Sequence, residues 1–121
     1  MKNISGRRIT LSFVLTLLII LIFAAIDFLF HHLSVDYSVP ARYFPNKIIY
    51  GTIIGFGLFW LLLNVKRFWL KSLIFSAVIA GLLQIRYFFE GYPLDFVVLF
   101  LFIHFAILWL LSWVAFRWVP I

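Results

Sequence analysis

Four long apolar stretches, separated by short polar breaks, constrain the fold of this chain more than any other feature of its sequence. They lie at about 9–31, 47–65, 68–89 and 94–118. A helix needs about 20 predominantly apolar residues to cross the hydrocarbon core of a bilayer. The pattern therefore predicts an all-α integral membrane protein: a bundle of four transmembrane helices, with antiparallel neighbours joined by short loops.

The composition supports this prediction because little polar sequence is left for a separate soluble domain. Hydrophobic residues make up 66% of the 121 positions and charged residues 12%, whereas soluble domains have about 45–50% and 25%. We therefore expect a single transmembrane domain over 1–121. The basic start is similar to that of a signal peptide, but the apolar run is long and no small-residue cleavage site follows, so we expect a retained first helix.

The charged residues at the ends of the stretches predict the orientation. Seven basic residues and no acidic one belong to one end of the bundle: Lys2, Arg7, Arg8, Lys66, Arg67, Lys71 and Arg117. Basic loops stay in the cytoplasm, so we expect a multi-pass protein of the cell (plasma) membrane with both termini cytoplasmic. The net charge of +6 lies at helix ends rather than on a solvated face, so nucleic acid is not an expected partner.

Several kinds of site are not expected from this sequence. The chain has no cysteine, which excludes disulfides and thiolate metal sites. It also lacks the paired histidines of a zinc protease and the glycine-rich loop of a phosphate site. A haem held by two histidines is not expected, because His31 is predicted near the surface and His104 near the bilayer midplane. We expect neither a metal nor a cofactor.

Small residues indicate which helices pack together. The second helix carries Gly51 and Gly55, and the third carries Ser72, Ser76 and Ala80 at four-residue spacing. Membrane helices approach closely through such small faces. We expect the small faces of these two helices to meet.

Asp27 and His31 lie one turn apart and share a face of the first helix. An ionisable residue within a span is a candidate functional group, which here would bind a cation, relay a proton or hold a polar headgroup. The structural alternative is a pairing of this carboxylate with Arg42, Lys47 or Arg86.

His104 lies about ten residues into the fourth helix, roughly 14 Å from its start. We expect either a ligand- or proton-responsive site there, or a neutral histidine bonded to a serine or a backbone carbonyl. Gln84 is expected to form an interhelical hydrogen bond or to contribute to a pocket with Asp27, and Arg86 to pair with Glu90. The candidate ligand-binding or proton-responsive residues are Asp27, His31, Gln84, Arg86 and His104; no catalytic residue is assigned.

Asn46-Lys47 opens the second predicted helix, and Gln84 is followed across a loop by Asp95. This pattern resembles that of the VanZ-like family of small membrane proteins, in which an Asp-Lys pair opens a helix and a later Gln precedes an Asp. Asn46 replaces the Asp, and Tyr50 stands where a His is expected. The resemblance covers part of the chain and implies no particular reaction.

Polar residues concentrate in the predicted outer half of the bundle, whereas the inner half is predicted to be almost purely apolar above a basic rim. This asymmetry predicts a pocket that opens outward or into the outer leaflet. We expect a non-enzymatic module that binds a lipid-like or isoprenoid ligand, or that stabilises a membrane partner. Membrane lipid is the expected partner, with a homodimer or a larger membrane complex as the assembly.

Two alternatives stay open. The chain could be a transporter or channel subunit that works as an oligomer, with Asp27 and His104 as coupling residues. It could also be a membrane enzyme that acts on a lipid headgroup, with Asp27 and His31 as acid–base groups or metal ligands.

Overall fold

The computed structural model describes residues 6–119, and over this range the chain is helical, without strands. The four long helices are α1 (Gly6–His31), α2 (Tyr43–Leu61), α3 (Phe68–Phe89) and α4 (Leu94–Trp118), and a short 3₁₀ helix (Val35–Tyr37) lies between α1 and α2. By length and composition, α1, α3 and α4 are able to cross a membrane. The prediction of four long helices without strands is confirmed for residues 6–119, whereas three rather than four of these helices have the composition of membrane spans.

α2 is not among the helices that are apolar enough to cross a membrane, and its bounds differ from the prediction of 47–65. It begins at Tyr43 and ends at Leu61. Pro45, Asn46 and Lys47 lie within its first turns and lower its hydrophobicity. Pro45 is compatible with this early start, because the first turn of a helix leaves its N–H groups without intrahelical partners.

Consecutive helices run antiparallel. The end of α1, the start of α2, the end of α3 and the first half of α4 meet through side-chain contacts of Asp27 and His31. At the opposite end, the Ser112 hydroxyl of α4 donates to the Ser72 carbonyl of α3. We call these two ends the cluster end and the basic end.

The basic residues predicted to share one end do so where the structure describes them. Lys2 lies outside the described residues. The others form the basic end: Arg7, Arg8, Lys66, Arg67, Lys71 and Arg117.

An apolar layer fills the middle of the bundle. Ile20 and Phe23 of α1 pack with Ile79 of α3 and Leu108 of α4, and all four are fully buried. Burial of these side chains in one contiguous cluster separates the polar groups of the cluster end from those of the basic end.

The glycines of α2 face α1 more than they face the small residues of α3. A Cβ at Gly51 would lie 3.2 Å from Ile20, and one at Gly55 would lie 2.7 Å from Thr16 and 3.3 Å from Phe75. The predicted meeting of the small faces of α2 and α3 is therefore wrong. α2 packs mainly on α1, and α3 packs mainly on α4.

The half toward the basic end contains more buried polar groups than predicted. The buried residues there are Ser12, Thr16, Lys71, Ser72, Ser76 and Ser112. The Thr16 hydroxyl donates to the Ser12 carbonyl at 2.8 Å, and the Ser76 hydroxyl donates to the Ser72 carbonyl at 2.6 Å. Hydroxyls that bond one turn back along their own helix are satisfied locally, so these residues fit into an apolar interior.

Candidate functional site

Ionisable and polar side chains from all four helices meet in one buried group near the cluster end. We call this group the buried polar cluster: Asp27, His31, Lys47, Tyr87 and His104. Asp27 and His104 have no exposed surface, and Lys47, the most exposed of the five, is 5% exposed. Ionisable groups are costly inside a bundle unless they pair with one another, so their mutual contacts are what make this burial tolerable.

Asp27 is the centre of the cluster. Its Oδ2 accepts a hydrogen bond from the Lys47 ammonium, and its Oδ1 lies 2.8 Å from Nε2 of His104. Opposite the Lys47 ammonium, Asp27 is assigned as the carboxylate, and Nε2 of His104 is assigned as the donor in their hydrogen bond. Of the three partners that the sequence allowed for Asp27, the structure selects Lys47.

His31 is oriented by the backbone beyond α1. Its Nδ1 lies 2.7 Å from the Tyr37 carbonyl oxygen, and a carbonyl only accepts, so Nδ1 carries the proton. The lone pair of Nε2 therefore points into the cluster. Nε2 lies 3.2 Å from Nζ of Lys47, 3.3 Å from the Tyr87 hydroxyl and 3.4 Å from Oδ1 of Asp27.

The two histidines lie much closer together than the sequence indicated. Their ring centroids are 6.4 Å apart, and His31 is 1% exposed rather than near the surface as predicted. The segment that follows α1 folds back over the end of this helix, where the Tyr37 ring contacts Phe100 at 5.6 Å. His104 is the eleventh residue of α4, so the earlier turns of α4 extend past Asp27 and help to enclose the cluster.

Aromatic rings pack around the cluster on the side toward the helix ends. The His31 ring stacks on Phe100 with centroids 4.1 Å apart and planes 3° from parallel. Tyr92, between α3 and α4, stacks on Phe96 at 4.8 Å and contacts Tyr87. Burial raises the pKa of Tyr92, and nearby Glu90 raises it further, so this phenol stays neutral at physiological pH.

Gln84 and Arg86 lie outside the cluster. The side-chain amide of Gln84 donates to the Val97 carbonyl, which confirms the predicted interhelical hydrogen bond. Arg86 pairs with Glu90 at 3.1 Å, as predicted, and its guanidinium lies 4.7 Å from the ring centre of Tyr43. Arg86 therefore lies at the cluster end of the bundle but outside the buried polar cluster.

Tyr87 is the one member of the cluster that sequence reasoning did not consider. It lies three residues after Gln84, on the same face of α3, and this spacing was the available signal. The Tyr37 carbonyl had no signal in the sequence, because a backbone group is placed by the course of the chain rather than by residue type.

The cluster also holds a set of metal-binding donor atoms. Asp27, His31 and His104 each offer one ligand atom, and these three atoms lie within 4.8 Å of one another. One carboxylate and two imidazoles suit divalent transition-metal ions. The sequence indicated no such set, because Asp27 and His104 are 77 positions apart and show no local motif.

No protein-family model matches this chain, and its comparison with curated proteins and with solved structures gave no match. The similarity of Asn46-Lys47 and Gln84 with Asp95 to the VanZ-like family has no support from a family model. The function is therefore inferred from the buried polar cluster.

Proposed function

We propose that this chain is a subunit of a membrane transporter or channel, in which Asp27 and His104 are the coupling residues. The observation that supports this proposal is the convergence of α1, α2, α3 and α4 on one buried, charged cluster. An ion or a proton that alters the contacts of Asp27 alters the packing of α1 against both α2 and α4. Such a link between occupancy and helix packing is what a coupled transport step requires.

The proposal includes a membrane arrangement with four spans. The 19 residues of α2 give a helix about 28 Å long, close to the thickness of the hydrocarbon core at about 30 Å. Lys47 is the basic residue within α2, and Asp27 compensates its charge inside the bundle. With the basic end in the cytoplasm, both termini lie inside and the cluster lies toward the outer face.

The transport unit in this proposal is an oligomer or a complex with other subunits. Within one chain, the apolar layer of Ile20, Phe23, Ile79 and Leu108 lies between the cluster and the basic end. A pathway would therefore run along a contact between subunits. The outward face of α4 is strongly apolar, with Phe102 and Leu110 67% and 64% exposed, and is available to lipid or to a neighbouring subunit.

Binding of a lipid-like ligand is the second candidate. The rings of Tyr43, Tyr92 and Phe96 near the cluster favour an amphipathic molecule at this end of the bundle. Because the cluster side chains are buried, such a ligand would reach them after a movement of the segment between α1 and α2. Action on a lipid headgroup, with Asp27 and His31 as acid–base groups, would need the same movement.

Ion flux into liposomes tests the transport proposal. The purified protein is reconstituted into liposomes that contain pH- and metal-sensitive dyes, and flux is driven by a potassium diffusion potential. His104→Ala is compared with His32→Ala, which removes an exposed histidine from the end of the same bundle. We expect flux in the wild type and in His32→Ala and its loss in His104→Ala. Equal flux in all three proteins would contradict the coupling role of His104.

A further inference from the structure

We infer that the buried polar cluster binds a divalent transition-metal ion such as Zn²⁺, with Asp27, His31 and His104 as ligands and with Lys47 as an internal cation that the metal displaces. This inference builds on the proposed function, because it names the class of ion that would occupy the coupling site. Donor geometry, the anchoring of the ligands and the position of Lys47 support it.

The donor atoms are close to the spacing that a metal requires. Ligands about 2.0–2.2 Å from a tetrahedral Zn²⁺ stand roughly 3.4 Å apart. Oδ1 of Asp27 already lies 3.4 Å from Nε2 of His31 and 2.8 Å from Nε2 of His104. Separating the second pair by about half an ångström would fit the metal. The Tyr87 hydroxyl lies 3.3 Å from Nε2 of His31.

The second nitrogen of His31 suits this role. Metal-binding histidines commonly donate their other N–H to a carbonyl or a carboxylate, which fixes the ring and leaves the ligating nitrogen unprotonated. Nδ1 of His31 makes this contact with the Tyr37 carbonyl. Nδ1 of His104 is buried and has no hydrogen-bond partner among residues 6–119, so this ring would carry its proton on Nδ1 when Nε2 binds the metal, without the acceptor that His31 has.

Lys47 shows that this position already stabilises a cation. Its ammonium contacts Oδ2 of Asp27 and Nε2 of His31, two groups that a metal would also use. Lys47 is the fifth residue of α2, near the cluster end, and its long side chain can place the ammonium at the interface when the metal enters. Exchange of a tethered ammonium for a dication would change the contact between α1 and α2 on each binding event.

Metal binding is measured on the purified full chain in mild detergent. Zn²⁺ retained after dialysis is counted by elemental mass spectrometry, and Co²⁺ is used as a spectroscopic probe of ligand type. We expect one Zn²⁺ per chain in the wild type and in His32→Ala. Affinity should fall at least about tenfold in His104→Ala and rise at least about tenfold in Lys47→Met, which removes the competing cation. Ca²⁺ should not compete, because it prefers all-oxygen sites.

Three results would overturn the inference: no Zn²⁺ in either the wild type or Lys47→Met, retention in Lys47→Met alone, or equal retention in the wild type and His104→Ala. Retention in Lys47→Met alone would mean that the Lys47 ammonium, and not a metal ion, occupies the site in the wild type.

The folding of each variant is checked by its elution profile and its thermal unfolding. His104→Gln, which keeps a polar side chain, replaces His104→Ala if the latter does not fold. Zn²⁺ binding without flux in liposomes would contradict the proposed function alone, and proton flux without Zn²⁺ binding would contradict this inference alone.

Discussion

At the scale of single residues, Asp27 determines whether the charges inside the bundle are compensated. Its two oxygens contact Lys47 and His104, and it is the acidic member of the buried polar cluster. Loss of one partner from a buried ion pair leaves the other charge without compensation, which is far more costly than loss of an exposed charge.

Asp27→Asn should therefore destabilise the protein by about 3–5 kcal/mol, because the buried contacts to Lys47 and His104 lose their carboxylate. Unfolding by denaturant titration in detergent, followed by tryptophan fluorescence, measures this change. Asp95→Asn is the matched control, since Asp95 is exposed and its carboxylate accepts from the Phe96 amide at 3.0 Å. The prediction fails if the two variants unfold at the same denaturant concentration.

The double variant Asp27→Asn with Lys47→Met separates a charge effect from a packing effect. Removal of both charges avoids the uncompensated ammonium, so the double variant should be more stable than Asp27→Asn alone. Denaturant titration under the same conditions gives the comparison. A double variant that is less stable than Asp27→Asn would mean that the cost comes from packing.

At the scale of helices, the close approach of α2 to α1 depends on Gly55. An added Cβ would lie 2.7 Å from Cγ2 of Thr16, a short and buried side chain. Gly57 lies on the opposite face of α2, where a Cβ would meet no atom within 4 Å. The two glycines thus differ in packing although they share one helix.

Gly55→Ala should destabilise the protein by about 1–3 kcal/mol, because an extra methyl group overpacks the α1–α2 contact. Gly57→Ala should be neutral or stabilising by up to about 1 kcal/mol, because alanine has the higher helix propensity. Thermal unfolding of both variants in the same detergent measures the difference. Equal unfolding temperatures would show that α2 does not approach α1 as closely as described.

The approximate bounds predicted for α3 and α4 agree with the structure, whereas those predicted for α2 do not. The break between α3 and α4 contains Gly91, with φ of +83°, and Pro93. Glycine is favoured just after the end of a helix and proline at the start of the next one, so these two residue types indicate a break. At the start of α2, the same kind of reasoning placed the helix after Pro45, although a proline is compatible with the first turn. Helix-breaking residues therefore locate the end of a helix well when they include a glycine in the left-handed region.

At the scale of the whole molecule, the all-helical fold and the number of long helices could be predicted from the sequence, but the site could not be assembled from it. Asp27, His31 and His104 were singled out as separate candidates. Their meeting depends on how each helix is rotated and how deeply it sits, and on the segment after α1 that buries His31. These are properties of packing, and hydrophobic pattern does not determine them.

The proposed topology predicts which loops face outward. The chain has no cysteine, so Asp36→Cys and Lys66→Cys each introduce a single thiol into a loop. With both termini cytoplasmic, a membrane-impermeant maleimide should label Asp36→Cys in intact cells and Lys66→Cys only after permeabilisation. Labelling of both positions from outside would contradict four spans, because residues 36 and 66 would then lie on the same side of the membrane.

The arrangement of the buried polar cluster is the claim on which both functional proposals depend, and the three histidines of the chain allow a direct test. The measurement is a ¹⁵N magnetic resonance spectrum of the histidine-labelled protein in nanodiscs, recorded at neutral pH without added metal. The structure predicts that His31 carries its proton on Nδ1 and His104 on Nε2, and that both rings exchange slowly with water while exposed His32 exchanges rapidly. Asp27→Asn should then shift the His104 signals and leave those of His32 unchanged. Rapid exchange of all three rings, or His104 signals that do not respond to Asp27→Asn, would contradict the cluster.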